Sequence, residues 1–417
     1  MALLARPTID FDHHSDYYRQ NWQRMAADLH ATGSPIAWSE HHGGFWVVGS
    51  WEGVRRIGAD WESFTSYNDL EGQGNGGRGQ MIPQNQYRLD LGESDPPLHT
   101  ERRRLEAPFF TPKALRQWRP VLAEHLRQAV DAVIESGQCD LVDHIIIPTA
   151  ARTALFVTGY GPDDWKDVAA VAHGFLLPPD HEDFPLEQLS RLRQQFRDML
   201  TQRRAQPNGD LISALATGKV QGHELTLDEG ESMMNALVFA GFDTAAATTV
   251  SALLLIDRHP EHRDRVVTDD AFRANLIEET LRLCPPPAGM ARTAVRDVEF
   301  MGQKIAAGES VFMWLAAANR DPKQFENPDT FDPERANAKD HVSFSTGHHR
   351  CLGAPLAKVE VSEMVRVICG ELADLRIDHD SLRQHPAQGG VNGFLNLRAD
   401  FIPRGRRAVT SDEEVLR

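Results

Sequence analysis

A mainly α-helical fold with a small β region is what this sequence predicts, and three observations carry it. Apolar residues recur with a helical period over five long stretches, 115–134, 186–200, 233–256, 272–283 and 354–372. Strand-type patterns are short and confined to 36–48 and 298–311. The 41% hydrophobic and 25% charged content of the 417 residues is that of a globular protein, far from disordered, collagen-like or membrane compositions.

In chain order, 36–48 holds two apolar stretches around His41-His42-Gly43-Gly44, the pattern of a β-hairpin packed on the body. The stretch 71–80 is Gly-rich and is the one low-complexity segment; no internal repeat occurs. A phosphate-binding loop there would need a helix to follow, yet Pro83 interrupts, so it reads as a mobile connection. Segment 233–256 has one charged residue, Asp243, and the length of a membrane span. Asn235, Thr244, Thr248, Thr249 and Ser251 make it too polar for lipid, and no second apolar segment accompanies it, so a helix buried in a large core is expected. Two histidine pairs, His13-His14 and His41-His42, could suggest a metal site; neighbouring side chains diverge and no third ligand is evident, so none is expected.

Lys and Arg total 44 against 60 Asp and Glu, a net charge of -16 that repels nucleic acid and anionic membrane surfaces, so neither is an expected partner. The leading ten residues hold a four-residue apolar run and one Arg, too little for a signal peptide, and a cytoplasmic location is expected. The four cysteines, Cys139, Cys284, Cys351 and Cys369, show no CxxC or Cys/His zinc spacing and read as free thiols. A lone thiol is usually a small buried hydrophobe, so context must single one out.

Context does so at Phe344-Ser345-Thr346-Gly347-His348-His349-Arg350-Cys351-Leu352-Gly353, which runs into a helix starting near Ala354-Pro355. Glycines on both sides let the backbone turn tightly and approach a flat ligand, and Pro355 suits a first helical turn. The sulfur then sits beside free N–H groups at a helix N-terminus, an environment expected to stabilise a thiolate. These residues resemble the cytochrome P-450 family, whose haem loop reads Phe-x-x-Gly-x-x-x-Cys-x-Gly; every fixed position is matched. The resemblance implies that Cys351 is the axial iron ligand of haem b (iron protoporphyrin IX), with Phe344 and Gly353 also against the cofactor. It implies a single-domain, triangular fold over about residues 10–403, with a frayed tail from Arg404 that includes Arg406-Arg407 and Glu413-Glu414.

Other motifs gain meaning from the same resemblance. Glu279 and Arg282, three apart on one helical face, would by spacing alone be a solvated pair. Similarity to the family's Glu-x-x-Arg implies instead a buried structural triad with Arg335 that holds the cysteine loop. Asp243-Thr244 resembles the family's acid–Thr pair, implying a proton relay to iron-bound dioxygen, although a Thr bonding back to a carbonyl one turn earlier is the simpler reading of the residues. Buried propionates demand cationic or hydrogen-bonding partners, and the resemblance points to His99, Arg103, Arg292 and His349.

The implied function is a haem-thiolate monooxygenase that activates dioxygen and hydroxylates a hydrophobic small molecule, a terpenoid being the guess. The family's pocket walls correspond to Tyr87, Ala236, Phe239, Ala240, Ala288, Met290 and Phe394. No flavin or iron–sulfur cysteine pattern is present, so electrons are expected from a separate ferredoxin and ferredoxin reductase. Arg102, Arg104, Lys113, Arg116, Arg350 and Lys358 are the expected basic docking patch. A peroxide-driven peroxygenase and a non-catalytic haem sensor are the competing readings.

Overall fold

The computed structural model describes residues 6–161, 164–175, 177, 181–385 and 391–406. Helices α1 (Asp16–Ala31), α2 (Trp51–Ala59), α3 (Leu98–Glu106), α4 (Pro112–Val133), α5 (Ile147–Thr158), α6 (Trp165–Phe175), α7 (Leu186–Ala205) and α8 (Leu211–Thr217) occupy the first half. They are followed by α9 (Leu227–Gly241), α10 (Asp243–Arg258), α11 (Arg263–Thr268), α12 (Asp270–Leu283), α13 (Leu315–Ala318) and α14 (Ala354–Glu371). The fold is mainly helical with small sheets, as expected.

The largest sheet is built from β1 (Ile36–Ser39), β2 (Phe45–Val48), β3 (Phe64–Thr65), β7 (Met290–Ala294) and β10 (Ser310–Met313), in the order β1-β2-β10-β7-β3. The predicted hairpin is β1 antiparallel to β2, closed through the short 3-10 turn His41–Gly43. The later strand region supplies β8 (Val298–Phe300) and β9 (Gln303–Ile305) as well as β10, which runs parallel to β2. Short strands β4 (Gln138–Asp140), β5 (Lys219–Val220), β6 (His223–Glu224), β11 (Arg376–Ile377), β12 (Arg383–Gln384), β13 (Phe394–Asn396) and β14 (Arg398–Asp400) finish the sheets, as the three-stranded β11-β14-β4 and the pairs β5-β6 and β12-β13.

The helical core forms where α10 packs against α5, α12 and α14, burying residues such as Leu253, Leu276, Ile277 and Met364. The start of α9 is fixed by a capping box. Thr226 Oγ1 accepts from Glu229 N at 3.2 Å, while Glu229 Oε2 accepts from Thr226 N at 2.9 Å. The expected single apolar helix is instead two: Phe242, at φ -123° and ψ -39°, leaves the helical ladder and separates α9 from α10. Among the described residues, 227–258 is the stretch long and apolar enough to cross a membrane by length and composition; 78% of its most apolar window is buried inside the protein.

Two loop expectations are corrected. The Gly-rich segment wraps around the Asp69 carboxylate, which accepts N–H groups of Gln73, Gly74 and Gly76, so it is an organised turn. Arg404 and Arg406, at the start of the expected frayed tail, are tied down: Arg404 pairs with Glu371, and Arg406 lies 3.3 Å from Glu135. Residues 1–5 of the leading segment, and the rest of the expected tail from Arg407, with Glu413 and Glu414, lie outside the described residues.

Candidate functional site

The loop before α14 is pressed against α2 by two glycines. A Cβ on Gly347 would stand 1.9 Å from the Gly58 carbonyl oxygen, and one on Gly58 would stand 2.3 Å from Thr346 Oγ1. Gly347 also takes a left-handed φ of 65°, which glycine adopts without strain. Cys351 N donates to Phe344 O at 2.8 Å and closes the loop, and the N–H groups of Gly353 and Ala354 then turn toward Sγ at the start of α14.

Of the four thiols, Cys351 alone is exposed; Cys139 and Cys369 are buried, and burial pushes their pKa up to about 12 and about 11. Although part of Cys351 faces solvent, the protein packed around Sγ desolvates it and raises its pKa, while the two N–H donors, Arg103 and Arg350 act the other way. A metal cation bonded to Sγ is what would displace the proton.

Beside the cysteine lies a cluster of basic groups that forms no ion pair among the described residues. Arg292 is 2% exposed and donates from Nη1 to its neighbour Ala291 O at 2.7 Å, while its Nη2 has no partner. Both ring nitrogens of buried His99 are likewise unpartnered. Burial first, then Arg103, His348 and Arg292, bring the His99 pKa down to about 4; burial brings Arg292 down to about 10. An anion relieves all of these groups at once, so the donor set fits the carboxylates of a haem. The His349 ring lies tilted 4.4 Å from that of His99 and bonds Ser66 Oγ at 2.9 Å, and Arg103 donates to the Arg350 carbonyl at 2.8 Å. Those two are already engaged with the protein, and Arg103 braces the cysteine loop directly.

Glu279, Arg282 and Arg335 meet in the interior. Arg282 donates to Glu279 at 2.7 and 2.8 Å, and Arg335 Nε donates to the same carboxylate at 3.1 Å. The remaining guanidinium protons go to carbonyls of Asn319, Glu326, Asn327, Pro328 and Thr330. The link onward was missed in the sequence. Asn319 bonds Val342 N and Ser343 Oγ, Ser343 Oγ donates to Leu281 O, and Glu278 accepts from His341 and Lys358, so α12 grips the chain just before Phe344. The Phe344 ring lies under the Lys358 ammonium, 5.4 Å away.

Asp243 and Thr244 fall at the break between α9 and α10. Thr244 Oγ1 donates back to Ala240 O at 3.1 Å. Asp243 is 6% exposed and pairs at 2.6 Å with His173 of α6, a partner seventy positions earlier with no sequence signal. Burial lowers the His173 pKa, but the hydrogen bond and charge of Asp243 outweigh it and leave the pKa raised. The pair is therefore fully stabilising below the ordinary histidine value, near 6.5, and is lost as pH rises through the raised one.

The proposed walls divide. Ala236, Ala240 and Thr244 recur every four residues on one face of the broken helix and keep exposed surface, while Met233, Met234 and Val238 are buried behind them. Tyr87 and Phe239 join an aromatic cluster that was not foreseen: Phe175 lies 6.1 Å from Tyr87 and 4.8 Å from Phe239, and Phe184 stacks on Tyr87. Met290 and Phe394 are half-buried, Met290 against the large sheet and Phe394 against the helical core. Ala288 is a correction: it is fully buried with Phe11, Ile82 and Trp314, because the backbone turns it inward between partly exposed Pro287 and Gly289. The basic patch also loses members. Arg102 is buried against Asp90 and Glu229, and Lys358 is paired with Glu278, whereas Arg104, Lys113, Arg116 and Arg350 are exposed.

Residues 272–368, which span most of α12, the cysteine loop and most of α14, match the family described as cytochrome P450. The 6-deoxyerythronolide B hydroxylase of Saccharopolyspora erythraea is 31% identical over 301 residues, 71% of this chain and 74% of that relative. Steroid C26-monooxygenase of Mycolicibacterium smegmatis is 28% identical over 323 residues, covering 76% and 80%. Among solved structures, a mutant of P450 EryK in complex with erythromycin B has 26% identity and a TM-score of 0.80, covering 94% of this chain and 98% of that one.

Proposed function

Because the chain belongs to the cytochrome P450 family, whose members it matches as a haem-thiolate monooxygenase, we propose that it hydroxylates a hydrophobic small molecule with electrons from a separate ferredoxin and ferredoxin reductase. The observation that carries this reading is the exposed Cys351 at the α14 N-terminus beside the unpartnered, buried Arg292 and His99. Haem b, when bound, supplies the dioxygen activation that no side chain can provide. Cys351 Sγ would hold the iron, Arg292 and His99 would neutralise the propionates with His349 and Arg103 behind them, and Phe344 and Gly353 would pack the near face. Residues of about 10–403 act as one catalytic unit in the cytoplasm.

Thr244 Oγ1 and the Asp243 carboxylate would hold and pass protons at the break between α9 and α10, and His173 holds that carboxylate in place. Ala236, Phe239, Ala240, Tyr87, Met290 and Phe394 form the apolar walls, which favour an apolar substrate. Relatives named for a steroid and for 6-deoxyerythronolide B favour a large, multi-ring or macrocyclic skeleton, with which a terpenoid agrees. A screen of terpenoids, steroids and fatty acids for the low-spin to high-spin shift of the haem identifies the class; a shift with fatty acids alone overturns the terpenoid reading.

Thr244→Ala tests the relay. The variant should keep its haem while product formed per electron pair consumed falls by roughly tenfold or more and peroxide accumulates. Unchanged coupling removes Thr244 from the reaction, and full turnover on peroxide alone would mark a peroxygenase. Arg116→Glu tests the docking face: reduction by a ferredoxin should slow by about tenfold at low salt and approach the unmodified rate at high salt. Equal rates at low salt place the partner elsewhere.

A further inference from the structure

His13 and His14 form the turn that leads into α1, and His42 sits in the 3-10 turn between β1 and β2 with a left-handed φ of 52°. As sequence pairs they lack a third ligand and ought to diverge. The fold removes both objections. The tight turn brings the His13 and His14 rings to 4.2 Å, and the hairpin delivers His42 to 5.4 Å from His14 and 5.9 Å from His13. One ligand nitrogen from each of the three lies within 4.8 Å of the others.

Two further observations point to a ligand. His13 is 2% exposed, and its Nδ1 has no partner, a state that is unfavourable in the interior unless something satisfies it. The other two rings are oriented from behind: His14 Nε2 lies 2.7 Å from the Ile82 carbonyl oxygen, and His42 Nε2 lies 2.9 Å from Asp12 Oδ1. Each Nε2–H then donates to an oxygen, which leaves Nδ1 as the basic nitrogen. A carbonyl or carboxylate behind the imidazole is the outer-sphere arrangement of metal-bound histidine.

We propose that His13, His14 and His42 bind a divalent cation of the zinc class, with water in the remaining position and Asp12 steering His42. Three imidazoles are the donor set such ions accept, and their tetrahedral geometry at about 2.0–2.1 Å requires donors roughly 3.4 Å apart. His42, on the outer turn, is the ring that closes the difference. The bound ion joins the chain before α1 to the β1–β2 hairpin. Through the Ile82 carbonyl it also reaches the segment leading to Tyr87.

The test uses the haem-loaded full chain, stripped of other metals by a chelator and titrated with zinc, with stoichiometry from elemental analysis and affinity from calorimetry. One equivalent should bind with Kd at or below about 1 µM and raise the melting temperature. His42→Ala, a change on an outer ring that leaves the core intact, should weaken binding by at least about tenfold while haem content and visible spectrum stay the same. His262→Ala, in the second grouping of His259, Glu261 and His262, should leave the affinity unchanged. Absence of a one-equivalent site, equal affinity in His42→Ala, or loss of the site in His262→Ala overturns the proposal.

Discussion

Cys351→Ser leaves a folded chain that forms product at least ~1000-fold more slowly, a barrier rise of about 4 kcal/mol. The loop does not depend on the sulfur for its shape. Its closing bond runs from Cys351 N to Phe344 O, and the Gly58–Gly347 approach is made of backbone. Serine fits the space and keeps those contacts, yet its hydroxyl neither ionises near neutrality nor donates electron density as a thiolate does. Reduction under carbon monoxide reads the outcome directly: the red-shifted band of a thiolate-ligated haem should vanish. Its persistence in Cys351→Ser would sink the assignment of the ligand.

Glu279→Ala should cost about 3–5 kcal/mol and deplete the haem-loaded protein, although Glu279 is assigned no contact with substrate or cofactor. Its carboxylate accepts hydrogen bonds from Arg282, Arg335 and Asp332 N within a site of essentially no solvent exposure. Removing it leaves two guanidinium charges in the interior with only carbonyl dipoles for company. The loss travels through Asn319, Val342 and Ser343 to the base of the cysteine loop. Denaturant unfolding of the haem-loaded protein measures the cost, and a loss under 1 kcal/mol would show that the network is not under electrostatic load.

What could be read from the sequence depended on whether a feature is local along the chain. The Phe344–Gly353 loop and the Glu279/Arg282 spacing are contiguous, so turn chemistry and helical period expose them. His173 pairs with Asp243 across two helices, and Asn319 reaches a loop more than twenty positions away; neither carries a local pattern. The histidine pairs were set aside for want of a third ligand, which only the hairpin supplies. Arg102 and Ala288 failed for a different reason. Charge does not reveal that an arginine is buried between Asp90 and Glu229, and an alanine beside a bend can face either way. The break at Phe242 is a backbone choice that apolar periodicity passes over.

The contact between Gly58 and Gly347 has a consequence for anyone diversifying this protein. Because a Cβ on Gly347 would meet the Gly58 backbone, no rotamer can yield, and a methyl group at 347 must shift α2 or the loop as a whole. A library that varies the walls near Tyr87 and Phe239 can leave the sulfur where it is. One that admits alanine at 347 changes the seat of the sulfur first, and losses of activity there would say nothing about substrate fit.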